Sequence, residues 1–492
     1  MKRSALLLIG AALLSGCLAP AYVRTPGEVP EDYRFQSLKG QPQPELATLA
    51  DLDWWEIFDD PALQSLIGIA LAQGYDARLA FARVAEARAA VGVSRSFLLP
   101  QVGGTALYQR QRLSRTRVDP PIPSNANTTE NFAQFSLDLF WEIDLFGRLS
   151  NLTKASQELF FASEWGQRAV WAAVVADVAQ AYFELRALDR QLEISRATLA
   201  SFQNSRRLVM LRHQRGVVSG EDVAQANALV HIAGARIPDL ERQVAQKENQ
   251  LSILLGITPQ AIQRGRSLTE LITRPTVPAG LPSELLERRP DIRQSEAILK
   301  AANYRIGAAR ANFFPRISLT GLGGTQSVDL SRLFTGASST WSIGSNLALP
   351  IFTGGFNTYT LRTTEAQQEQ ALILYQFTVR QAFREVSDGL VAHARLEEFR
   401  REQEALVESF RRYSELAGKR FKGGLESFLT VLDSERELFA AKLDLAAVQR
   451  DQLLTMVQLY KALGGGIKPI RDPSGLNAAA SPPAPKPAAA KP

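Results

Sequence analysis

The chain has 492 residues, with 56 basic and 50 acidic side chains, a net charge of +6, one cysteine and three histidines. Basic and acidic residues are interspersed rather than gathered on one basic face, which argues against a nucleic-acid partner. A lone cysteine rules out an internal disulfide framework. His213, His231 and His393 stand far apart with no ligand-spaced cysteines or carboxylates, so neither a zinc site nor a Ser-His-Asp arrangement is suggested and no cofactor is expected.

In chain order, Met1-Lys2-Arg3 is a short positive segment, apolar Ala5 to Leu14 follows, and the stretch ends on Leu14-Ser15-Gly16-Cys17. This is a secretory signal peptide, far short of the ~20 apolar residues that span a bilayer. Leu-Ser-Gly-Cys resembles the bacterial lipobox, whose cysteine is acylated and becomes the mature N-terminus. A free thiol without a disulfide partner is a liability in an oxidising compartment, so lipidation explains Cys17 best. Leu18 rather than Asp follows it, which is similar to lipoproteins sorted to the outer membrane. Residues 18–53 are expected to form an extended N-terminal anchor segment. No later apolar run reaches helix-spanning length, so any membrane passage must use strands.

Self-comparison reveals two copies of one unit, residues 54–256 and 284–464, joined by a segment at 257–283. Ala85-Glu86-Ala87-Arg88, leading into Phe97-Leu98-Leu99-Pro100-Gln101-Val102, returns as Tyr304 to Arg310 leading into Phe313-Phe314-Pro315-Arg316-Ile317. Arg215-Gly216-Val217 matches Lys422-Gly423-Gly424, and Leu255-Gly256 matches Leu463-Gly464. Each copy reads as helix, strand, loop, strand, very long helix, turn, helix. Residues 465–492 are Pro- and Ala-rich, with too little apolar surface to order themselves.

The first copy opens with a helical period that stops before Pro100. The period then changes to two. Phe135, Leu137, Leu139 and Trp141 alternate with Gln134, Ser136, Asp138 and Glu142, as in a strand with one apolar and one wet face. Trp341, Ile343, Leu347, Leu349 and Ile351 do the same in the second copy. Strands are expected at 101–110, 131–142, 316–324 and 341–351, with polar loops between the members of each pair. Lipid is the expected neighbour of Phe135, Leu137, Leu139, Trp141, Leu347 and Leu349. The two tryptophans near strand ends fit the aromatic girdles of membrane barrels, and Ser136, on the opposite face, is expected to tolerate a large polar substitution.

From Arg148 to about Arg215, and from Gly355 to about Lys422, there is no proline and no cluster of turn residues. Helices of that length reach ~100 Å at 1.5 Å per residue. Along the second, Leu396, Phe399, Gln403, Leu406, Phe410, Tyr413 and Ala417 keep the three–four spacing of a coiled-coil seam. Four strands cannot close a barrel in lipid, because an open edge leaves backbone groups unpaired. Several chains must share one barrel, and three give a twelve-stranded barrel with room for a lumen.

Leu281-Pro282-Ser283-Glu284-Leu285-Leu286-Glu287-Arg288-Arg289-Pro290-Asp291-Ile292, with Glu296, Ala301 and the segment from Ile306 to Leu319, resembles the signature of the outer membrane factors. The resemblance runs from Trp54 to Gly464. With the lipobox it points to the NodT-type lipoprotein branch. The fold it implies is membrane α+β: a trimeric outer-membrane β-barrel, four strands per chain, continued by a periplasmic α-helical coiled-coil barrel. The implied function is the passive exit duct of a tripartite efflux system, a homotrimer in outer-membrane lipid docked on a periplasmic membrane-fusion adaptor and an inner-membrane resistance-nodulation-division pump. Arg289-Pro290-Asp291 reads physically as a helix start, proline in the first turn and an acidic residue at the positive end.

Alternatives are an exit duct for protein secretion, or a pore-free periplasmic coiled-coil lipoprotein, which would leave two matched hairpins without purpose. Only Met210 and Met456 lie in the mature chain, and no Cys or His cluster suggests a soft-metal route. Beyond the Gly423-Gly424 turn, Leu429, Asp433 and Arg436 share one helix face at i, i+4 and i+7. The same residue types at this spacing are similar to the periplasmic constriction of lipoprotein outer membrane factors, and Asp222 resembles the carboxylate of the partner helix there. On spacing alone, Asp433 and Arg436 also fit an ordinary exposed ion pair.

Overall fold

The computed structural model describes residues 19–27, 30, 54–116, 120–271 and 285–465. The signal peptide, Cys17, most of 18–53, part of the inter-repeat segment and the tail from 466 lie outside the described residues. Helices α1 (Trp54–Ile57), α2 (Pro61–Gln73) and α3 (Tyr75–Ser96) precede strands β1 (Gln101–Arg112) and β2 (Thr129–Ile143). Then come α4 (Arg148–Gln214), α5 (Gly220–Leu254) and the short α6 (Leu268–Leu271) and α7 (Leu285–Arg288). The second half repeats the order with α8 (Pro290–Ala311), β3 (Arg316–Ser327), β4 (Ser339–Ala348), α9 (Phe356–Lys422) and α10 (Phe428–Ala462).

Matched elements have matched lengths. Helices α3 and α8 each have 22 residues, α4 and α9 each 67, and α5 and α10 each 35. Equivalent turns carry glycine in the left-handed region, Gly216 and Gly424 at one, Gly256 and Gly464 at the other. A β-carbon is disfavoured there, so the turn chemistry repeats along with the helices.

The chain divides into two compact units. The first contains Arg83–Glu164, Gln294–Gln376 and, of the N-terminal residues, 19–25. Its centre is an antiparallel sheet in the order β1-β2-β3-β4. The register sorts side chains onto two faces, because residues directly opposite each other point the same way. Leu139 stands opposite Val102 and Gly321, Phe135 opposite Ala106 and Thr325, Trp141 opposite Leu319, and Ile317 between Ile143 and Leu347. Ile343 and Trp341 pair with Gly321 and Gly323 on that same face. The other face carries Thr105, Gln109, Gln134, Ser136, Asp138, Glu142, Ser318, Thr320, Ser342 and Asn346, interrupted by Leu107, Phe132, Phe140 and Leu322.

Two expectations need correction. Strand β4 ends at Ala348, so Leu349 and Ile351 fall beyond it; Pro350 has no amide hydrogen to continue a ladder and restricts the residue before it. Ser136 is fully buried rather than open. Its hydroxyl accepts from Gln134 Nε2 at 3.1 Å and donates to Asp138 at 3.3 Å, and opposite it a β-carbon on Gly324 would come within 2.1 Å of the Phe135 carbonyl oxygen. A large residue at 136 has no room.

The β2–α4 corner is tied by side chains. Asp144 accepts from the amides of Leu149 and Ser150 at 2.9 and 2.7 Å, satisfying free donors at the helix start, while Arg148 pairs in a fork with Glu142 at 3.0 and 2.8 Å. The N-terminal strap lies along α8. Buried Glu296 accepts from Tyr22 Oη and Arg24 Nη2, both at 3.2 Å, and Asn303 Nδ2 donates to the Pro20 carbonyl at 2.7 Å.

The second unit holds α1, α2, α5 to α7, α10 and the remaining parts of the long helices. Buried Asp60 caps α2 through Ala62 N at 2.9 Å and also accepts from Tyr182 Oη at 2.7 Å and Arg266 N at 3.1 Å. Phe58 packs edge-on against Phe183 and Tyr460.

Arg289 does more than precede a helix. Its guanidinium is 7% exposed, forks onto Asp291 at 3.0 and 2.7 Å, reaches Glu385 of α9 at 2.8 Å and donates to the Ala462 carbonyl at the end of α10 at 3.0 Å. One cation thus joins three helices and satisfies a helix-end carbonyl. Replacing Arg289 with Ala strands that carbonyl and two carboxylates. Removing one member of a buried pair costs ~3–5 kcal/mol, which we reduce to about 2–3 kcal/mol because both carboxylates retain contact with water. Denaturant titration in detergent should show that loss; an unchanged midpoint would exclude the role.

Candidate channel gate and lipid-facing surface

The helix pairs α4–α5 and α9–α10 turn at Gly216 and Gly424, with φ of 69° and 75°. At the first turn the Val217 amide reaches back to the Arg212 carbonyl, and at the second the Leu425 amide reaches Arg420 O, both at 2.9 Å. Ser219 and Ser427 then cap the returning helices. The turns therefore close within their own backbone, and sequence-local chemistry builds both tips.

A side-chain clamp joins the two tips. Arg212 of α4 donates to the carbonyls of Phe421 and Lys422 at 3.0 and 3.1 Å, and its guanidinium lies 4.2 Å from the centre of the Phe421 ring. These are the last carbonyls of α9, where a cation also meets the negative end of the helix dipole. Phe421 in turn rests on Phe428, with ring centres 5.3 Å apart. Sequence reasoning missed this clamp. A basic residue in the last turn of a helix is common, and nothing local says that its partner is a different helix end.

Next to the second tip, α10 buries Phe428, Val431, Leu432 and Ser434 and turns Leu429, Asp433 and Arg436 outward. Leu429 is 53% exposed beside the buried Phe428, Val431 and Leu432. Arg436 Nη2 lies 3.4 Å from Asp433 and 3.1 Å from Glu437. The three residues share an outward face, and within one chain the charged pair is the exposed i, i+3 arrangement. Asp222 lies in the first turn of α5, where its carboxylate accepts from the amide and hydroxyl of Ser219 at 2.8 and 2.9 Å in a capping box. Its local task is to hold the first tip in shape.

Deeper along the same helices, a cavity of about 240 Å³ is lined by Arg190, Ile194, Phe202, Glu435, Phe439 and Lys442, among others. Burial pushes the Glu435 carboxyl above the usual carboxylate range, opposed by donation from the Ser205 hydroxyl at 3.1 Å. Burial, with Arg190 and Arg411 nearby, pulls Lys442 down.

Among the sheet residues expected to face lipid, Phe135, Leu137 and Leu139 are 45%, 57% and 38% exposed, and Leu347 is 66% exposed. Trp141 is half-buried and donates its indole N–H to the Leu98 carbonyl at 3.0 Å, which fixes it at the helix end of the sheet. Trp341 stands at the loop end and is 75% exposed.

The raised pKa of Glu435 carries a stability consequence. A carboxyl held above its unfolded value favours the protonated form in the folded state, so its ionisation opposes folding at neutral pH. Glu435→Gln should raise the melting temperature at pH 7.5, and the gain should vanish below about pH 4.3, where the glutamate is neutral in both states. A variant less stable than the parent at pH 7.5 would contradict the assignment.

The chain matches the family model described as outer membrane efflux protein twice, over residues 66–257 and 281–465. It is 37% identical over 475 residues to the toluene efflux pump outer membrane protein TtgC of Pseudomonas putida, covering 95% of this chain and 96% of that one. It is 36% identical over 465 residues to the outer membrane protein OprJ of Pseudomonas aeruginosa, covering 94% and 95%. The crystal structure of the open state of the Neisseria gonorrhoeae MtrE outer membrane channel superposes with a TM-score of 0.82 at 31% identity, over 92% of this chain and 99% of that one. These relatives are efflux channel proteins and not enzymes. With both repeats matched and nearly the full length covered, the chain belongs to the outer membrane efflux protein family.

Proposed function

We propose that this protein is the outer-membrane exit duct of a tripartite efflux pump, passively conducting substrates delivered by a periplasmic adaptor and an inner-membrane pump. The observation that carries the reading is the sheet: four strands, both edges unpaired among the described residues, one face apolar across its width. Such a sheet is stable in lipid only if its edges meet other strands, and three chains supply a twelve-stranded barrel large enough for a lumen. The relatives' names, efflux pump outer membrane proteins, favour efflux over protein secretion. Acylation of Cys17 would add a lipid anchor to the barrel.

The coiled-coil seam supports an oligomer independently. Along α9, Gln403 and Ala417 are buried within the chain, and Gln403 Nε2 donates to the Ala441 carbonyl at 3.2 Å. Phe399, Leu406 and Tyr413, the alternate series, remain 52%, 40% and 43% exposed. Such a stripe suits a helix from another copy, at the knob positions of a coiled coil.

In the trimer, Leu429, Asp433 and Arg436 become rings beside the helix tips: an apolar plug, a carboxylate ring that attracts cations, and arginines that reach carboxylates of neighbouring helices. Asp222 is the candidate carboxylate on the partner helix, in addition to its capping role. Asp433→Ala combined with Arg436→Ala should raise single-channel conductance in planar bilayers and weaken block by divalent cations. Wild-type conductance and block in correctly assembled trimers would place the constriction elsewhere.

A further inference from the structure

The two loops that connect paired strands differ in chemistry. In the β1–β2 loop, no large apolar side chain among the described residues is exposed, and the loop presents Ser114, Thr116, Ser124, Asn125 and Asn127. The β3–β4 loop turns three apolar side chains outward: Val328, Leu330 and Phe334 are 69%, 61% and 76% exposed. Exposure on this scale, next to a polar loop of the same sheet, asks for an occupant.

The loop is built rather than slack. Asp329 caps a single 3-10 turn at Leu330–Arg332 by accepting from Ser331 N at 3.1 Å. The Arg332 carbonyl accepts from Thr335 Oγ1 at 2.9 Å and Ser338 Oγ at 2.8 Å, and Leu333 is buried beneath. Phe334 is therefore held in place. Its ring meets Phe135 edge-on, with centres 6.1 Å apart. Phe135 belongs to the sheet face shared by Leu137, Leu139 and Trp341, so Phe334 continues that apolar face beyond the strands.

We propose that the β3–β4 loop is a lipid-docking wedge: Val328, Leu330 and Phe334 seat in the outer leaflet at the boundary between acyl chains and headgroups, and exposed Arg332 meets headgroup phosphates. The occupant is lipid because the wedge prolongs the face that the barrel turns to the bilayer. An aromatic ring with a cation beside it is also the combination that settles at a membrane interface. The inference rests on the barrel reading above.

A nitroxide at Phe334→Cys, in full-length protein reconstituted in vesicles of phosphatidylethanolamine and phosphatidylglycerol, tests it through collision with oxygen, which partitions into lipid, and with a nickel chelate, which stays in water. Labels at Leu137→Cys and Asn125→Cys mark the lipid and water extremes, and the parent chain measures any labelling at Cys17. The wedge predicts an oxygen-to-nickel ratio at 334 that lies between the two extremes, several-fold above that at 125 and below that at 137. A ratio at 334 matching 125, or shielding from both probes as expected of a protein-covered site, would overturn the wedge and leave the barrel intact. A water-like ratio at 137 would overturn the barrel, and the wedge with it.

Discussion

A backbone amide in hydrocarbon must find a partner, because there is no water to supply one and each unpaired group costs several kcal/mol. The sheet meets this demand along the internal edges of its strands and, among the described residues, leaves it unmet at the outer edges of β1 and β4. A soluble protein could tolerate two such edges by charging or covering them. With Phe135, Leu137, Leu139, Trp341, Ile343 and Leu347 on one face, this sheet is suited to lipid. In the proposed assembly each chain's outer strands complete those of its neighbours, and the duct follows from that closure.

The helical part repeats the logic with side chains in place of backbone. Half of the α9 seam is satisfied inside the chain through Gln403 and Ala417, and half is left outward through Phe399, Leu406 and Tyr413. Local chemistry, meanwhile, is complete within one chain. The tips are closed by glycine turns and serine caps, Arg212 joins one tip to the other, and Arg289 ties α8 to α9 and α10. A protomer finished in its turns and unfinished along its edges is what an assembly of identical chains requires.

Much of this was legible in the sequence because it depends on periodicity. The change from the helical period to alternation located both strand pairs, and the recurrence of Phe-Leu-Leu-Pro as Phe-Phe-Pro exposed the repeat. What stayed hidden depends on contacts between segments distant in sequence. Nothing around Arg289 announces Glu385 or the Ala462 carbonyl, and nothing around Arg212 announces the end of α9. Ser136 reads as a wet-face residue by alternation, yet Gly324 opposite it and Asp138 beside it leave no open space. Pattern names a face but not how crowded it is. The end of β4 was overrun because alternation continues through Leu349 and Ile351, while Pro350 ends the ladder.

Strand closure between copies is the central claim, and disulfide trapping addresses it directly. Cysteines placed one at a time along β1, each combined with a single cysteine on β4, form a bond only where α-carbons approach within about 7 Å. The account predicts that one register yields covalent dimers and trimers in outer-membrane fractions and nothing larger. Crosslinks confined within single chains, or none in any register, would contradict it.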